Sequence, residues 1–273
     1  MKSVRLILSV LAVMSMAACS KGTEDAIPES GFNNGSGNGG GLGSTTKYVK
    51  SIILGEYEDG DYYEGEEWIL SYDSSNRLSE MIVVWDWDDI DDSGICRYKY
   101  AYGLDKVIST YEDIDDNFTC AYYFTGGLLV KEQWDTDGGI EYLYQNGAEH
   151  PYKGIDIDDY SLTNISWSPA GNLVSYETDY YSYTFTYTDY RNKLNVDLIN
   201  WYTGLFSEGF MMDSAVFKSV VSTYLPSKMV YENVYGKYYE ERFTYKFDSE
   251  GYPTEIKIAD ADGNWYMIFK ITY

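Results

Sequence analysis

Aromatic and polar residues alternate with a period of two along most of the chain after residue 47. In the segment 97–102, the tyrosines share one face of a predicted strand, and Arg97 and Lys99 share the other. Alternation of this kind is typical of β-strands that bury one face. The faces expected to be buried carry Tyr98, Tyr100, Tyr102, Phe243, Tyr245, Phe247, Trp265, Met267, Phe269, Ile271 and Tyr273.

A recurring unit joins these strands: an aromatic pair, a polar turn, and an apolar residue that opens the return strand. It occurs at 70–78, 165–173 and 245–253, with weaker copies at 98–107, 122–129 and 183–194. Asp, Ser, Asn and Gly in the turns favour tight reversals of the backbone. We therefore predict an all-β antiparallel meander of serial hairpins, roughly a dozen strands, closing into a barrel or curled sheet. A β-sandwich is the alternative way to bury one aromatic face.

The segment 200–223 departs from this pattern, because Met211, Met212, Ala215 and Val216 recur at helical spacing. We predict a short helix near 205–220, capped by Asp213 or Ser214, that packs as a lid on the open end of the β structure. Asp213-Ser214-Ala215 also resembles a bacterial O-glycosylation sequon, which would instead require Ser214 to be exposed.

Three copies of Asp-Ile-Asp-Asp lie at 89–92, 113–116 and 156–159. The three copies share one rim of the sheet if an extra short strand follows the turn at Asn146-Gly147, which is a strong hairpin signal. Without that strand, the third copy moves to the opposite rim.

The N-terminus has the organisation of a secretory leader: basic Lys2 and Arg5, then an apolar run over 6–13 that is too short to span a bilayer. Met16-Ala17-Ala18-Cys19 resembles the lipobox of bacterial lipoproteins, which implies cleavage before Cys19 and lipidation of its thiol. We therefore predict a signal peptide at 1–18 and a membrane anchor at Cys19.

Residues 19–46 are predicted to be a flexible tether, because 35–41 are mostly Gly and almost nothing in the segment can be buried. Its start, 20–25, resembles the export signal of surface lipoproteins of Bacteroides-type bacteria. The resemblance implies an outer-membrane protein exposed at the cell surface. Residues 47–273 are predicted to form a single β domain, which we expect to be a monomer.

The chain has 44 acidic and 20 basic residues, and removal of 1–18 leaves a net charge of −26. Nucleic acid and anionic lipid surfaces both require a basic footprint, so neither is an expected partner.

His150 is the sole histidine, predicted to lie exposed in a loop, and no phosphate-binding glycine motif is present. We predict that the protein is not an enzyme and that Cys96 and Cys120, on alternate strands, are free buried thiols.

Calcium is the one metal that the acidic loops suggest. Asp89, Asp91 and Ser93, followed by Gly94, match the opening of a calcium loop, although position twelve is Tyr100 in place of an acid. The alternative is a solvated acidic turn, and no other cofactor is expected.

Trp85 and Trp87, beside Asp86 and Asp88, form a candidate glycan-binding platform of rings and carboxylates. The alternative is that both rings cover the rim of the core.

The repeated aromatic-turn-Leu unit also resembles the YD repeats of Rhs-type shells. Together with the lipobox, the tether, the start at 47–53 and the ending at 251–273, the chain resembles a family of Bacteroides-type lipoproteins of unknown function with a porin-like fold. No catalytic residues transfer from that family. Two function classes follow: a surface module that binds a glycan or small apolar ligand, or a structural lipoprotein whose acidic face contacts another envelope protein.

Overall fold

The computed structural model describes residues 46–58, 61–86, 93–113, 117–134, 138–206 and 210–273. Sixteen antiparallel strands run through this part of the chain, and each pairs with its neighbours in sequence. Strand β1 also pairs with β16, so the sheet closes into a barrel. The strands are β1 (Ser51–Glu58), β2 (Asp61–Tyr72), β3 (Leu78–Asp86), β4 (Ser93–Tyr102), β5 (Lys106–Glu112), β6 (Asn117–Thr125), β7 (Leu128–Trp134), β8 (Gly138–Leu143), β9 (Lys153–Asp156), β10 (Leu162–Trp167), β11 (Leu173–Glu177), β12 (Tyr181–Arg191), β13 (Tyr224–Asn233), β14 (Tyr238–Phe247), β15 (Pro253–Asp260) and β16 (Trp265–Thr272).

The predicted all-β meander is confirmed, and it closes as a barrel rather than a sandwich. The strands number sixteen, more than the dozen or so expected. Strands β9 and β11 have four and five residues, too few to display a clear alternation in the sequence. Closure pairs the outermost strands with each other, which removes the exposed edges of the sheet.

Consecutive strands alternate in direction, so their connections fall at two ends of the barrel. We call the end that holds the odd-to-even connections the mouth and the opposite end the base; β1 begins and β16 finishes at the base. The strand ends that flank the three Asp-Ile-Asp-Asp segments, on β3 and β4, β5 and β6, and β9 and β10, all lie at the mouth, whereas 89–92 and 114–116 themselves lie outside the described residues. The extra strand required after Asn146-Gly147 is present as β9, so the strands that flank the third copy meet at the same end as those that flank the first two.

The inner face of the barrel is aromatic and the outer face is charged. Tyr122 and Phe269 are among the fully buried inward-facing residues. The outer wall carries ion pairs between neighbouring strands, such as Lys99 with Glu112 at 2.7 Å and Lys246 with Glu255 at 2.8 Å. A wall facing lipid would present apolar side chains, because charges there are strongly unfavourable. Charged side chains thus pair with one another across the outer wall.

The connection from β12 to β13, residues 192–223, enters the barrel, and we call its described part the plug. Its apolar side chains pack against the inner face on several sides, with Trp201 against Trp68 at 4.2 Å and Phe217 against Tyr122 at 5.0 Å between ring centroids. Phe206, Phe210 and Met211 of the plug are also buried in the common core. The plug fills the lumen as part of that core.

The helix lies earlier in the chain than predicted. Helix α1 spans Leu198–Thr203, its N-cap is Asp197, and Gly204 ends it in the left-handed conformation with φ of 64°. Residues 213–220 form turns instead, because the buried Asp213 carboxylate accepts backbone N–H groups of Leu78 and Ala215. That carboxylate joins the plug to β3 and does not cap a helix.

The hydroxyl oxygen of Ser214 is buried and has no hydrogen-bond partner within the described residues. A glycosyl group on this oxygen would have to occupy the packed interior. The structure therefore contradicts the glycosylation alternative for Ser214.

The three quoted sequence units form the same turn at the base. Asp73, Ser168 and Asp248 each accept a backbone N–H from the residue four positions later. The residue three positions later, Asn76, Gly171 or Gly251, has positive φ, which Asn and Gly tolerate best. The turn geometry explains why these sequences resemble one another.

Aromatic side chains near the ends of the even-numbered strands donate hydrogen bonds to backbone carbonyls. Each of these carbonyls lies near the start of the preceding odd-numbered strand. The hydroxyl of Tyr102, for example, donates to the Leu78 carbonyl at 2.7 Å. We call these residues the aromatic belt; within the described residues they are Tyr72, Tyr102, Tyr144, Trp167, Tyr187, Tyr245 and Tyr273. The belt stabilises the base with rings that are apolar in body and polar at the tip.

Cys96 and Cys120 are buried and free, as predicted. They lie on β4 and β6 with β5 between them. Burial is the largest influence on the Cys96 thiol and raises its pKa to about 11. No helix in the described residues is long and apolar enough to cross a bilayer.

Candidate functional site

Four tyrosines line one side of the mouth on the inner faces of β12, β13 and β14, and we call them the tyrosine wall: Tyr181, Tyr183, Tyr231 and Tyr239. Tyr231 lies opposite both Tyr183 and Tyr239 in the strand registers. Its ring centroid is 5.1 Å from that of Tyr183 and 5.8 Å from that of Tyr239. Tyr239 is 51% exposed. The wall thus presents aromatic surface to solvent from a rigid sheet.

A buried carboxylate lies next to the tyrosine wall. Glu241 follows Tyr239 on the inner face of β14 and accepts a hydrogen bond from the Tyr202 hydroxyl of α1 at 2.8 Å. Burial raises the pKa of Glu241, and the nearby Asp260 adds to the shift, whereas the Tyr202 hydrogen bond opposes it. On the wall itself, the Tyr231 hydroxyl accepts from the Asn233 amide at 3.3 Å. Aromatic faces and hydrogen-bonding groups therefore occur together.

Indoles pair with carboxylates on the side of the lumen formed by β16, β1 and β2. The Trp265 indole N–H donates to Glu56, and the Trp68 indole N–H donates to Glu66 at 2.7 Å. Burial raises the pKa of Glu66, against the lowering effect of the Trp68 hydrogen bond. The lumen near the mouth is thus lined by hydrogen-bond acceptors as well as aromatic rings.

Trp85 lies on the inner face of β3, half-buried and packed against the core. Its ring covers Gly94, the residue directly opposite on β4, so that a Cβ at Gly94 would overlap the indole. Trp87, the second residue of the predicted platform, lies outside the described residues. The structure therefore places Trp85 over a neighbouring strand and not on the outer surface.

The predicted calcium ligands Asp89 and Asp91 also lie outside the described residues. Ser93 begins β4, and Gly94 follows in the same extended strand. A calcium loop needs a sharp turn at that glycine. In the part of the chain that the structure describes, no group of three or more His, Cys, Asp or Glu side chains is arranged to hold a metal ion.

The connections at the mouth are acidic in sequence, and most of their Asp lie outside the described residues. The mouth connections contain fourteen Asp and a single Lys. These connections are 59–60, 87–92, 113–116, 135–137, 157–161, 178–180, 234–237 and 261–264. A cluster of like charges raises the local potential and attracts partners of opposite charge.

His150 is not the exposed loop residue that we predicted. Its ring is half-buried and stacks on Trp167 at 4.2 Å between centroids, and Nδ1 lies 2.8 Å from the Ser219 carbonyl oxygen. Because a carbonyl only accepts, Nδ1 carries the proton and donates. The histidine therefore links the β8–β9 connection to the plug at the base.

The tyrosine wall was missed by the sequence analysis, although one signal was present. Residues 181–187 alternate Tyr, Tyr, Phe and Tyr with polar residues, which identifies an aromatic face. The partners Tyr231 and Tyr239 come from strands about fifty residues further along. Strand register, which local sequence does not supply, brings them together.

The comparisons with known proteins show the fold. No protein-family model matches the chain, and no curated protein matches it. Two solved structures are similar. One is a porin-like protein from Bacteroides uniformis ATCC 8492, with 14% identity and a TM-score of 0.60 over 84% of this chain and 98% of that one. The other is a porin-like protein from Bacteroides vulgatus ATCC 8482, with 12% identity and a TM-score of 0.54 over 83% of this chain and 98% of that one. The chain thus has a porin-like barrel fold.

Proposed function

We propose that this protein is a non-catalytic lipoprotein of the outer membrane that binds a glycan at the mouth of its barrel. The tyrosine wall is the observation that carries this proposal. Tyrosine rings stack against the C–H faces of sugars, and their hydroxyls donate to and accept from sugar hydroxyls. A rigid sheet holds the four rings in place before a ligand arrives, which reduces the entropy lost on binding.

The position of the tether supports a mouth that faces away from the membrane. Residues 47–50 are attached at the base, where the Lys47 ammonium lies 2.6 Å from both Asp248 and Glu250. The Val49 N–H donates to the Asn195 side chain at 2.8 Å. A lipid on Cys19 would therefore hold the base toward the bilayer and present the mouth to the cell surface.

The filled lumen favours a glycan over a small apolar ligand. The plug side chains Phe206, Phe210 and Phe217 are buried within the barrel, so an apolar ligand would have to displace packed rings. The charged outer wall favours attachment by a lipid anchor over insertion of the barrel itself, because charged residues facing lipid are unfavourable.

Titration of a glycan panel into the protein by isothermal calorimetry tests the proposal. We expect Tyr239→Ala to weaken binding by roughly five- to tenfold, the effect of one aromatic contact. Tyr190→Ala is the matched control, because Tyr190 is 55% exposed and lies toward the base end of β12. Binding that is lost equally in both variants, or no binding by any glycan, would contradict the proposal.

The acidic mouth supports a second candidate, a structural role in which the mouth contacts a basic surface of another envelope protein. The fourteen Asp of the mouth connections carry this candidate. Attraction of this kind weakens as salt rises. A photo-crosslinker placed at Tyr235, which is 84% exposed at the mouth, should then capture one defined protein in cells, and a crosslinker at Tyr190 should not. Equal capture from both positions would contradict this role.

A further inference from the structure

A shallow groove of about 200 Å³ lies on the outer wall of the barrel, across β5, β6 and β7. Ala121 lies at its centre, opposite Ile108 on one side and Gln133 on the other. The small side chain of Ala121 between longer neighbours accounts for the hollow. The groove is lined by Lys106, Ile108, Thr119, Ala121, Tyr123 and Gln133.

Two lysines flank the aromatic ring at one end of this groove. Tyr123 pairs with Lys106 on β5 and with Lys131 on β7. The two ammonium nitrogens lie 5.1 Å and 6.0 Å from the ring centroid. Neither ammonium forms an ion pair with a carboxylate of the described residues, whereas Lys99 and Lys246 on the same wall do. The lining of the groove therefore includes Lys106 and the Tyr123 ring, and the Lys131 ammonium lies beside that ring.

Few acidic residues lie close to these two lysines. Lys106 is seven residues from Asp113 along β5, roughly 23 Å at 3.3 Å per residue, and screening at physiological salt acts over about 8 Å. The carboxylates closest by sequence and register are Asp105, which precedes Lys106, and Glu141, which lies opposite Lys131 on β8. Glu141 is the one that faces the groove side of the wall.

We propose that this groove binds one acidic sugar residue, such as a uronic acid, through its carboxylate. The ammonium groups of Lys106 and Lys131 would pair with the carboxylate. Ile108 and Ala121 offer an apolar surface to the C–H face of the ring, and the Gln133 amide both donates to and accepts from hydroxyls. The volume is below the roughly 300–1,000 Å³ of sites that enclose larger ligands, so it suits a single residue. The site is separate from the tyrosine wall.

Calorimetric titration of the whole chain, purified in detergent, with glucuronate, glucose and inorganic phosphate tests this proposal. We expect glucuronate to bind at least about tenfold more tightly than the other two, since only it combines the charge and the sugar ring. Lys106→Gln should weaken glucuronate binding roughly tenfold, and Glu141→Gln should strengthen it. Ala121→Leu fills the hollow without changing charge and should abolish binding.

Lys257→Gln is the matched control, because the Lys257 ammonium also lies over a tyrosine, 3.4 Å from the Tyr266 centroid, but on β15. Unchanged thermal unfolding shows that each variant is folded. Absence of glucuronate binding, equal binding of glucose or phosphate, or an equal loss in the Lys257→Gln variant would overturn the proposal. Ala121→Leu alters the groove and leaves the tyrosine wall intact, so failure of the groove and failure of the mouth are distinguishable.

Discussion

Phe217→Ala tests whether the plug is an integral part of the barrel core. Phe217 is 1% exposed, and its ring meets Tyr122 and Phe124 edge-on, with centroids 5.0 Å and 5.3 Å away. Both contacts lie on β6. Truncation to alanine removes them and leaves a cavity between the plug and the wall.

The expected loss of stability is large. Replacing a buried phenylalanine with alanine costs about 3–5 kcal/mol, because the transfer free energy of the ring and the cavity both contribute. For a domain of 150–250 residues, each kcal/mol lowers Tm by roughly 2–4 °C, so a loss of about 4 kcal/mol lowers Tm by roughly 8–16 °C. The barrel and plug should unfold in one transition, since they share one core.

Thermal unfolding followed by far-UV circular dichroism and by calorimetry measures this effect. Lys218→Ala is the control. The Lys218 side chain is next to Phe217 in the chain but is exposed, so its removal should change Tm little. Phe217→Leu should fall between the two, since it keeps most of the buried volume. A loss below about 1 kcal/mol for Phe217→Ala, or a separate early transition, would refute the inference that the plug fills the lumen as core.

Three further changes have defined outcomes. Gly94→Ala should displace the Trp85 ring that covers Gly94, lowering Tm and shifting tryptophan emission to longer wavelength. Tyr102→Phe removes the donor to the Leu78 carbonyl and should lower the free energy of unfolding by about 1 kcal/mol in urea titrations. The Asp197 carboxyl is buried, which raises its pKa from 3.8 to about 6 against the opposing hydrogen bonds of α1. The folded state therefore holds this proton more tightly than the unfolded state, so this group makes stability fall by roughly 3 kcal/mol as pH rises from about 4 to 6. Asp197→Asn should flatten that part of the stability profile.

Each of these outcomes has a control. Tyr190→Phe alters an exposed tyrosine outside the aromatic belt and should leave stability unchanged, so an equal loss there would argue against the belt. Gly147→Ala is not comparable with Gly94→Ala, because Gly147 has positive φ; Ala101→Ser on the outer face of β4 is the suitable reference. Asp179→Asn is the control for Asp197→Asn, because it changes a carboxyl group that is exposed. A pH profile unchanged by Asp197→Asn would remove Asp197 as the cause.

The sequence by itself determined the fold class, because a period-two aromatic face requires strands that bury one side. It also located the base turns, where a side-chain acceptor and a residue able to adopt positive φ follow from residue type alone. Cys96 and Cys120 were predicted as free for a related reason: one intervening strand separates them beyond bonding distance. Each of these results depends on local or nearest-neighbour geometry.

Only the tertiary structure decided the strand count, the position of α1 and the burial of His150. The sequence predicts Asp213 as a helix cap, but its carboxylate accepts a hydrogen bond from the backbone N–H of the distant Leu78. The same is true of the candidate site. Trp85 was identified from its position beside Trp87 and two aspartates, whereas the tyrosine wall depends on the register of β12 with β13, which the plug separates in the chain. Pairing between residues far apart in the chain sets that register, and no local pattern encodes it.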